Sequence, residues 1–218
     1  MEVGGFSTET VTEDMELVVR LHKHFRRARI PYRIIFTPDP ICWTEVPSTV
    51  KVLRRQRNRW HRGLWETLWL HRDMLFNPRY GRLGFLAVPY FLFFEALGPV
   101  VEMVGYAVLI LGFFLHILFL QFALLFLALS VLYGMLLSQM AVGIETLLLS
   151  RYPRLRDRMI LIAAAFLEFV GYRQMLTWER FIATFQINRK RGHWGEMTRS
   201  GIGSAPRPDR EESAPALR

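Results

Sequence analysis

Cysteine is nearly missing from this 218-residue chain: Cys42 stands alone. A single thiol excludes an intramolecular disulfide and a Cys-based zinc centre. No neighbouring residue marks it as reactive, so it reads as a small packed side chain. The six histidines, His22, His24, His61, His71, His116 and His193, lack metal-ligand spacing backed by neighbouring ligands, and read as surface or packing residues. A G-x-S-x-G nucleophile elbow is missing, and so is a phosphate-cradling glycine loop, which removes two common routes to acyl and phosphoryl chemistry. The first six residues have neither a basic start nor an apolar core. They do not form a signal peptide and read as the middle of a domain. No repeat of fixed period runs through the chain.

Charge of one sign is missing in one place and charge of either sign in another. No acid lies between Glu45 and Glu66, where Lys51, Arg54, Arg55, Arg57, Arg59 and Arg62 accumulate. With a net charge of +9, the polar faces favour phosphates or anionic lipid; no nucleic-acid partner is expected. Residues Met103 to Leu137 contain no Asp, Glu, Lys or Arg over 35 positions. As one helix this stretch would run about 52 Å, against a hydrocarbon core of about 30 Å. Two spans with a reversal near His116 fit better than one.

The remaining elements follow from local signals. A helix is expected from about Thr12 to Ala28, with Thr10 and Glu13 as a capping box and a basic C-terminal end. Tyr32 to Phe36 reads as a short strand, and Pro38, Pro40 and Pro47 keep the next stretch irregular. A second helix starts after Pro47 with Ser48 as cap and runs to about Phe76, carrying Trp60, Leu64 and Leu68 as an apolar stripe. Leu83 to Leu97 is aromatic-rich, interrupted by Pro89 and Glu95 and broken at Gly98-Pro99; it reads as interfacial. Ile160 to Trp178 is a third apolar segment, but Glu168 and Arg173 would have to pair or face a polar cavity. It either spans or lies along the interface, and the basic clusters Arg151–Arg158 and Arg189–Arg191 do not decide between these. From Gly201 the composition is that of a disordered tail.

Two short polar motifs precede the apolar region. In Thr12-Glu13-Asp14 the acids suit a helix N-terminus, which alone accounts for them; a carboxylate there can also accept a proton from an attacking hydroxyl. In Gln56-Arg57-Asn58-Arg59-Trp60, a basic helix face at anionic lipid accounts for the charge. Arg59 can also fork onto a phosphate, with Gln56 on its face at i, i+3 and Trp60 offering a plane to a sugar ring.

The two motifs stand in this order, 42 positions apart from Asp14 to Gln56, ahead of a membrane region. That combination resembles the membrane-embedded family-2 glycosyltransferases, the synthases of cellulose, hyaluronan, chitin oligosaccharide and poly-N-acetylglucosamine. Thr12-Glu13-Asp14 looks like their T-E-D motif, and Gln56, Arg57, Arg59 and Trp60 match their Q-(Q/R)-x-R-W motif. Val3-Gly4-Gly5-Phe6 resembles the glycine-rich segment before T-E-D. Cys42-Trp43-Thr44-Glu45-Val46-Pro47 resembles the stretch leading into Q-x-x-R-W, and Trp194 to Arg199 the end of many bacterial members.

The resemblance implies an α/β protein with a membrane α-helical part. Residues 1–80 would be the C-terminal part of a GT-A catalytic domain, mostly helical with a short strand. Residues 83–178 would be interfacial and transmembrane helices, with spans at about 99–115 and 117–138 and an alternative third at 159–178. Residues 179–200 would be a basic juxtamembrane segment and 201–218 the tail. It implies an inverting transferase moving a sugar from a nucleotide-sugar, UDP-linked, to a glycan or lipid acceptor. Asp14, in the acidic pair with Glu13, would be the general base. Gln56, Arg57 and Arg59 would contact the donor diphosphate, and Trp60 the acceptor sugar. The expected setting is the bacterial inner membrane, multi-pass, catalytic part in the cytoplasm, in contact with membrane lipids.

One departure from the family pattern is large. There is no D-x-D, and Asp39 in Pro38-Asp39-Pro40 does not substitute. The Mg or Mn ion that the resemblance implies would therefore take its ligands mainly from a missing N-terminal half, supplied upstream or by a partner or accessory subunit. The chain alone is expected to be inactive. The competing expectation is a non-enzymatic, membrane-anchored structural or interaction protein derived from a transferase.

Overall fold

The computed structural model describes residues 3–35, 37, 44, 46–117, 119–149 and 154–187. Phe36, Asp39, Cys42, Trp43, Glu45, the start of the Arg151 cluster, the Arg189–Arg191 cluster, the Trp194–Arg199 match and the tail lie outside them.

The regular elements among the described residues are all helical. Helix α1 spans Glu13–Ala28. Glu13, Asp14 and Glu16 occupy its first turn and Arg26 and Arg27 its last, so charge complements the helix dipole at both ends. It stops at Arg29, in the left-handed conformation (φ 57°), where Ile30 N–H reaches back to Phe25 O at 3.0 Å, a Schellman-type closure. The capping box does not form. Thr12 is the N-cap without a side-chain cap bond, because Thr10 Oγ1 instead accepts from Thr12 N–H at 3.2 Å.

Helix α2 spans Val50–Leu70. Thr49, not Ser48, caps it, accepting from Val52 N–H at 3.3 Å. It ends at Leu70, short of Phe76, and single 3₁₀ turns follow at Arg72–Met74 and Pro78–Tyr80. These turns pack back on α1. Asp73 bridges Lys23 Nζ and Arg27 Nη2, each at 2.6 Å, and buried Tyr80 accepts from Arg27 Nε at 2.8 Å.

The expected strand is not there: residues 32–35 are irregular, and no strand occurs among the described residues. Ile34 and Ile35 carry strand propensity, but a strand exists through its ladder, and among the described residues no second extended segment pairs with this one.

From Leu83 the chain forms one long helix to Phe114. It contains π-helical turns at Leu83–Ala87 and Phe91–Ala96, the short α3 at Val88–Tyr90, and α4 at Gly98–Phe114. Gly98-Pro99 does not break it. Pro99 enters near the start of α4, where a missing N–H costs least, and the preceding π turn closes with Leu97 N–H on Leu92 O at 2.9 Å. Helix α4 gives way at His116, which takes a left-handed φ of 56°, and α5 follows at Leu120–Leu149. Two helices, Leu83–Phe114 and Leu120–Leu147, are long and apolar enough to cross a membrane, and almost none of either is buried inside the protein. An apolar surface of that extent marks contact with lipid or protein rather than water.

Helix α6 at Leu155–Leu167 continues through a π turn at Glu168–Tyr172 into α7 at Arg173–Gln186. Gly134 of α5 admits the Phe169 ring, which a Cβ there would meet at 2.4 Å. Helix α7 packs along α2: Arg54 Nε donates to buried Glu179 at 2.6 Å, and Asn58 Nδ2 to Gln186 at 3.3 Å. Residues 179–186, read from sequence as part of a basic juxtamembrane segment, are thus half of a helix pair that carries the second motif.

Candidate functional site

Both motifs lie where α1 meets α2, and a single face of α2 holds them together. Arg59, Gly63 and Glu66 succeed one another at i, i+4 and i+7, the spacing of one helical face. Glu66 Oε2 accepts the Val11 N–H at 3.0 Å in a buried bond. Gly63 lets the Thr12 side chain lie flat on the helix, since a Cβ on residue 63 would come within 2.3 Å of Thr12 Oγ1. Thr10, Val11 and Thr12 are all buried. The loop ahead of α1 is thereby pinned one and two turns beyond Arg59, and the acids at the start of α1 fall within electrostatic reach of its guanidinium. Burial lowers the Arg59 pKa from its ordinary value, while Glu13 and Asp14 act to raise it. Asp14 itself is exposed, with one carboxylate oxygen accepting from Met15 N–H at 2.7 Å.

The glycine segment is anchored from the other side of α1. Arg20 donates to Val3 O at 2.7 Å and also to Gly5 O. The same arginine pairs with Glu16 at 3.0 Å, and Glu16 meets His71 Nε2 at 3.0 Å. Glu16 is almost fully buried, so this polar triad fixes α1 against the end of α2. Burial lowers the His71 pKa, against the opposing effect of the Glu16 hydrogen bond.

On its other flank α2 faces α7 and the Leu83–Phe114 helix. Arg57 lies over the Trp60 ring, 4.7 Å from its centroid, and Trp60 is 43% exposed. Both line a cavity of about 450 Å³. Met15, the residue after Asp14, lines it too, and its far wall comes from the Leu83–Phe114 helix and from the α6–α7 helix. Those walls contribute the carboxylates Glu95, Glu102 and Glu168 and the cations Arg173 and Arg180. With Arg57 the cavity holds three carboxylates and three guanidiniums, so its formal charges balance. Glu168 and Arg173, the charges inside the third apolar segment, therefore do face a polar cavity, and Arg173 Nε approaches Glu102 Oε1 at 3.9 Å.

Arg180 joins the halves of this wall. Its Nη2 donates to Glu95 O at 2.6 Å and Glu95 Oε2 at 3.0 Å, and its Nε to His61 Nδ1 at 3.4 Å. His61 Nε2 lies 3.0 Å from Thr184 Oγ1 and 3.3 Å from Trp65 Nε1. Burial, reinforced by the Arg180 charge, pushes the His61 pKa down to about 3.

Of the residues singled out from sequence, Glu13, Asp14 and Arg59 come together, and Arg57 and Trp60 line the cavity. Gln56 is half-buried on α2 and lines neither group. Gly63, Glu66, Glu102, Arg173 and Arg180 were not singled out as site residues. The i, i+4, i+7 series from Arg59 was the readable signal for Gly63 and Glu66; only the fold brings in the others. Among the described residues no three His, Cys, Asp or Glu side chains gather as a metal site. The described residues do not by themselves fit the Mg or Mn ion that the resemblance implies.

A family model described as "Glycosyl transferase family group 2" matches residues 1–144. Among curated proteins, the chain is 39% identical over 62 residues to "Probable glycosyltransferase YdaM" of Bacillus subtilis (strain 168), covering 28% of this chain and 13% of that protein. It is 37% identical over 68 residues to "Poly-beta-1,6-N-acetyl-D-glucosamine synthase" of Staphylococcus aureus (strain COL), covering 31% and 15%. It is 36% identical over 67 residues to the protein of the same name from Staphylococcus epidermidis (strain ATCC 35984), again covering 31% and 15%. The chain thus aligns with only about a seventh of the length of these relatives. No solved structure matches.

Proposed function

This chain belongs to glycosyl transferase family group 2, and on that premise we propose that it is the acceptor-side and membrane part of a polysaccharide-synthesising transferase. The observation that carries this reading is the opening of Trp60 onto a charge-balanced polar cavity between α2 and the apolar helices. A neutral polyhydroxy chain suits such a cavity. Its hydroxyls can bond to carboxylates and guanidiniums alike, and the Trp60 face can take a sugar ring by its apolar C–H side.

The reaction is transfer of a sugar from a nucleotide-sugar, UDP-linked, to a hydroxyl of a glycan or lipid acceptor. Asp14, exposed and next in sequence to Met15 of the cavity wall, takes the hydroxyl proton. The acceptor oxygen bonds to the anomeric carbon as the bond from that carbon to the diphosphate oxygen breaks, with inversion. The diphosphate leaves with its charge opposed by Arg59, supported by Arg57 and Gln56. Arg59 is held by its buried position on α2 and kept near the base by the Gly63–Thr12 and Glu66–Val11 contacts. A divalent cation, with ligands from a segment N-terminal to these motifs or from a partner subunit, is part of this reading.

In this reading the chain is a multi-pass membrane protein, which the length and apolar composition of the two helices support. The basic run Lys51–Arg62 argues for the cytoplasmic side, and the named relatives are bacterial, so the bacterial inner membrane is the expected site. Its similarity to the two poly-beta-1,6-N-acetyl-D-glucosamine synthases makes UDP-N-acetylglucosamine the donor to try first.

The test is acceptor binding, which needs no donor half. N-acetylglucosamine oligosaccharides are titrated into the detergent-solubilised chain by calorimetry, alongside Trp60→Ala. Loss of one stacked ring is expected to weaken binding by about tenfold, the effect of roughly 1.4 kcal/mol. Equal binding by both proteins would remove Trp60 from the acceptor site.

A further inference from the structure

A second site lies further along α1, toward its C-terminal end, and adjoins the Trp60 cavity at Phe91. Two cavities adjoin there and share His22, Arg26 and Tyr32. The first, about 760 Å³, runs along the start of the Leu83–Phe114 helix and is walled by apolar and aromatic side chains, among them Phe85, Leu86, Tyr90 and Phe94. Arg82 stands on its rim. The second, about 1070 Å³, is walled on its polar side by Arg29, Arg33 and Arg79. No Asp or Glu lines either cavity. The nearby carboxylate, Asp73, is engaged by Lys23 and Arg27. Arg26 and Arg82 are exposed and mark the boundary between the basic hollow and the aromatic groove.

This layout has the polarity of an amphiphile with an anionic head. A soluble phosphate would use only the basic hollow and leave the aromatic groove in water. A zwitterionic headgroup would bring an ammonium among cations with no carboxylate to receive it. The groove also begins at Leu83, where the first helix long and apolar enough to cross a membrane begins, so acyl chains are at hand there.

We propose that these joined cavities bind one anionic phospholipid, its phosphate held by Arg26 and Arg82 and an acyl chain lying along Phe85, Leu86 and Phe94. The site goes beyond the transferase reading and does not depend on it; it depends only on the Leu83–Phe114 helix lying in a bilayer. Its occupant joins α1, whose first turn carries the acidic motif, to the membrane helix, whose later turns line the Trp60 cavity.

The test is native mass spectrometry of the 218-residue chain in detergent, titrated with phosphatidylglycerol and with phosphatidylcholine of the same acyl chains. One phosphatidylglycerol is expected to be retained in preference to phosphatidylcholine. Arg26→Gln with Arg82→Gln is expected to weaken its retention by about 30-fold, two cation–lipid contacts of ordinary size. Arg26→Lys with Arg82→Lys should keep most of it. The charge-matched pair Lys51→Gln with Arg55→Gln, on α2, should change it by less than about twofold. Leu86→Gln with Phe94→Gln, both at exposed positions, tests the acyl half and should also weaken retention. Equal retention of the two lipids overturns the proposal. So does equal loss in the α2 control, no loss in the Leu86/Phe94 pair, or displacement of the lipid by inorganic phosphate.

Discussion

Gly63 decides whether the acidic loop is seated on α2, and Gly63→Ala reads that out through the sign of a stability change. In an open helix position, replacing Gly by Ala stabilises by about 1 kcal/mol. Here the added methyl would sit 2.3 Å from Thr12 Oγ1 and 2.4 Å from Thr12 Cγ2, roughly 1 Å inside ordinary contact. Overpacking of that kind costs about 1–3 kcal/mol. The loop must then lift, which stretches the buried Val11 N–H bond to Glu66, 3.0 Å long; a hydrogen bond to a charged group is worth about 1.5–3 kcal/mol. The expected net result is destabilisation of about 1–3 kcal/mol, with faster amide hydrogen exchange at Val11. Gly105→Ala, where a Cβ meets nothing within 4 Å, is the control and should be neutral or slightly stabilising. The assay is thermal and denaturant unfolding in detergent, with exchange followed by mass spectrometry. If Gly63→Ala stabilises the protein by the helix-propensity amount and Val11 keeps its protection, the loop is not seated on α2 and the site geometry is wrong.

Two further predictions concern the buried polar groups. His61 has a native pKa near 3 against an ordinary 6.5. Below pH 6.5 the unfolded chain binds a proton that the native ring refuses, so stability is present at neutral pH and is lost as the pH falls from 6.5 toward 3. Between pH 7 and pH 5 the loss should be about 2 kcal/mol, measured by denaturant unfolding, and His61→Gln should flatten that part of the profile; an unchanged slope would contradict it. Glu16→Ala removes the buried partner of His71 and Arg20 and should destabilise by about 3 kcal/mol or more; a loss below about 1 kcal/mol would show that solvent reaches this triad.

How much of this was legible in the sequence depends on which residues are considered. The two motifs were readable because each packs its chemistry into adjacent positions, and the structure gathers Glu13 and Asp14 beside Arg59. Gly63 and Glu66 were overlooked although they continue the Arg59 face. A glycine and an acid within a basic helix read as irregularities until the loop they receive is known. Glu168 and Arg173 were readable as a demand, since charges in an apolar segment need partners or a polar cavity. The carboxylate opposite Arg173, Glu102, lies on a distant helix and only the fold supplies it. The strand at Tyr32–Phe36 was misread because propensity is local and a ladder is not. The Gly98-Pro99 break was misread because π turns upstream absorb the missing hydrogen bond without ending the helix.

The most direct test of the central claim is Asp14→Asn, in this chain reconstituted with the N-terminal half of a family transferase domain. The readout is incorporation of sugar from UDP-N-acetylglucosamine, beside thermal unfolding of each protein. The substitution keeps size and removes the base, and Asp14 is exposed, so unfolding should shift by less than about 0.5 kcal/mol. Transfer should fall by about 10²-fold or more. Incorporation at the rate of the unsubstituted protein, with folding intact, would contradict the assignment of Asp14 and favour a structural, non-enzymatic chain.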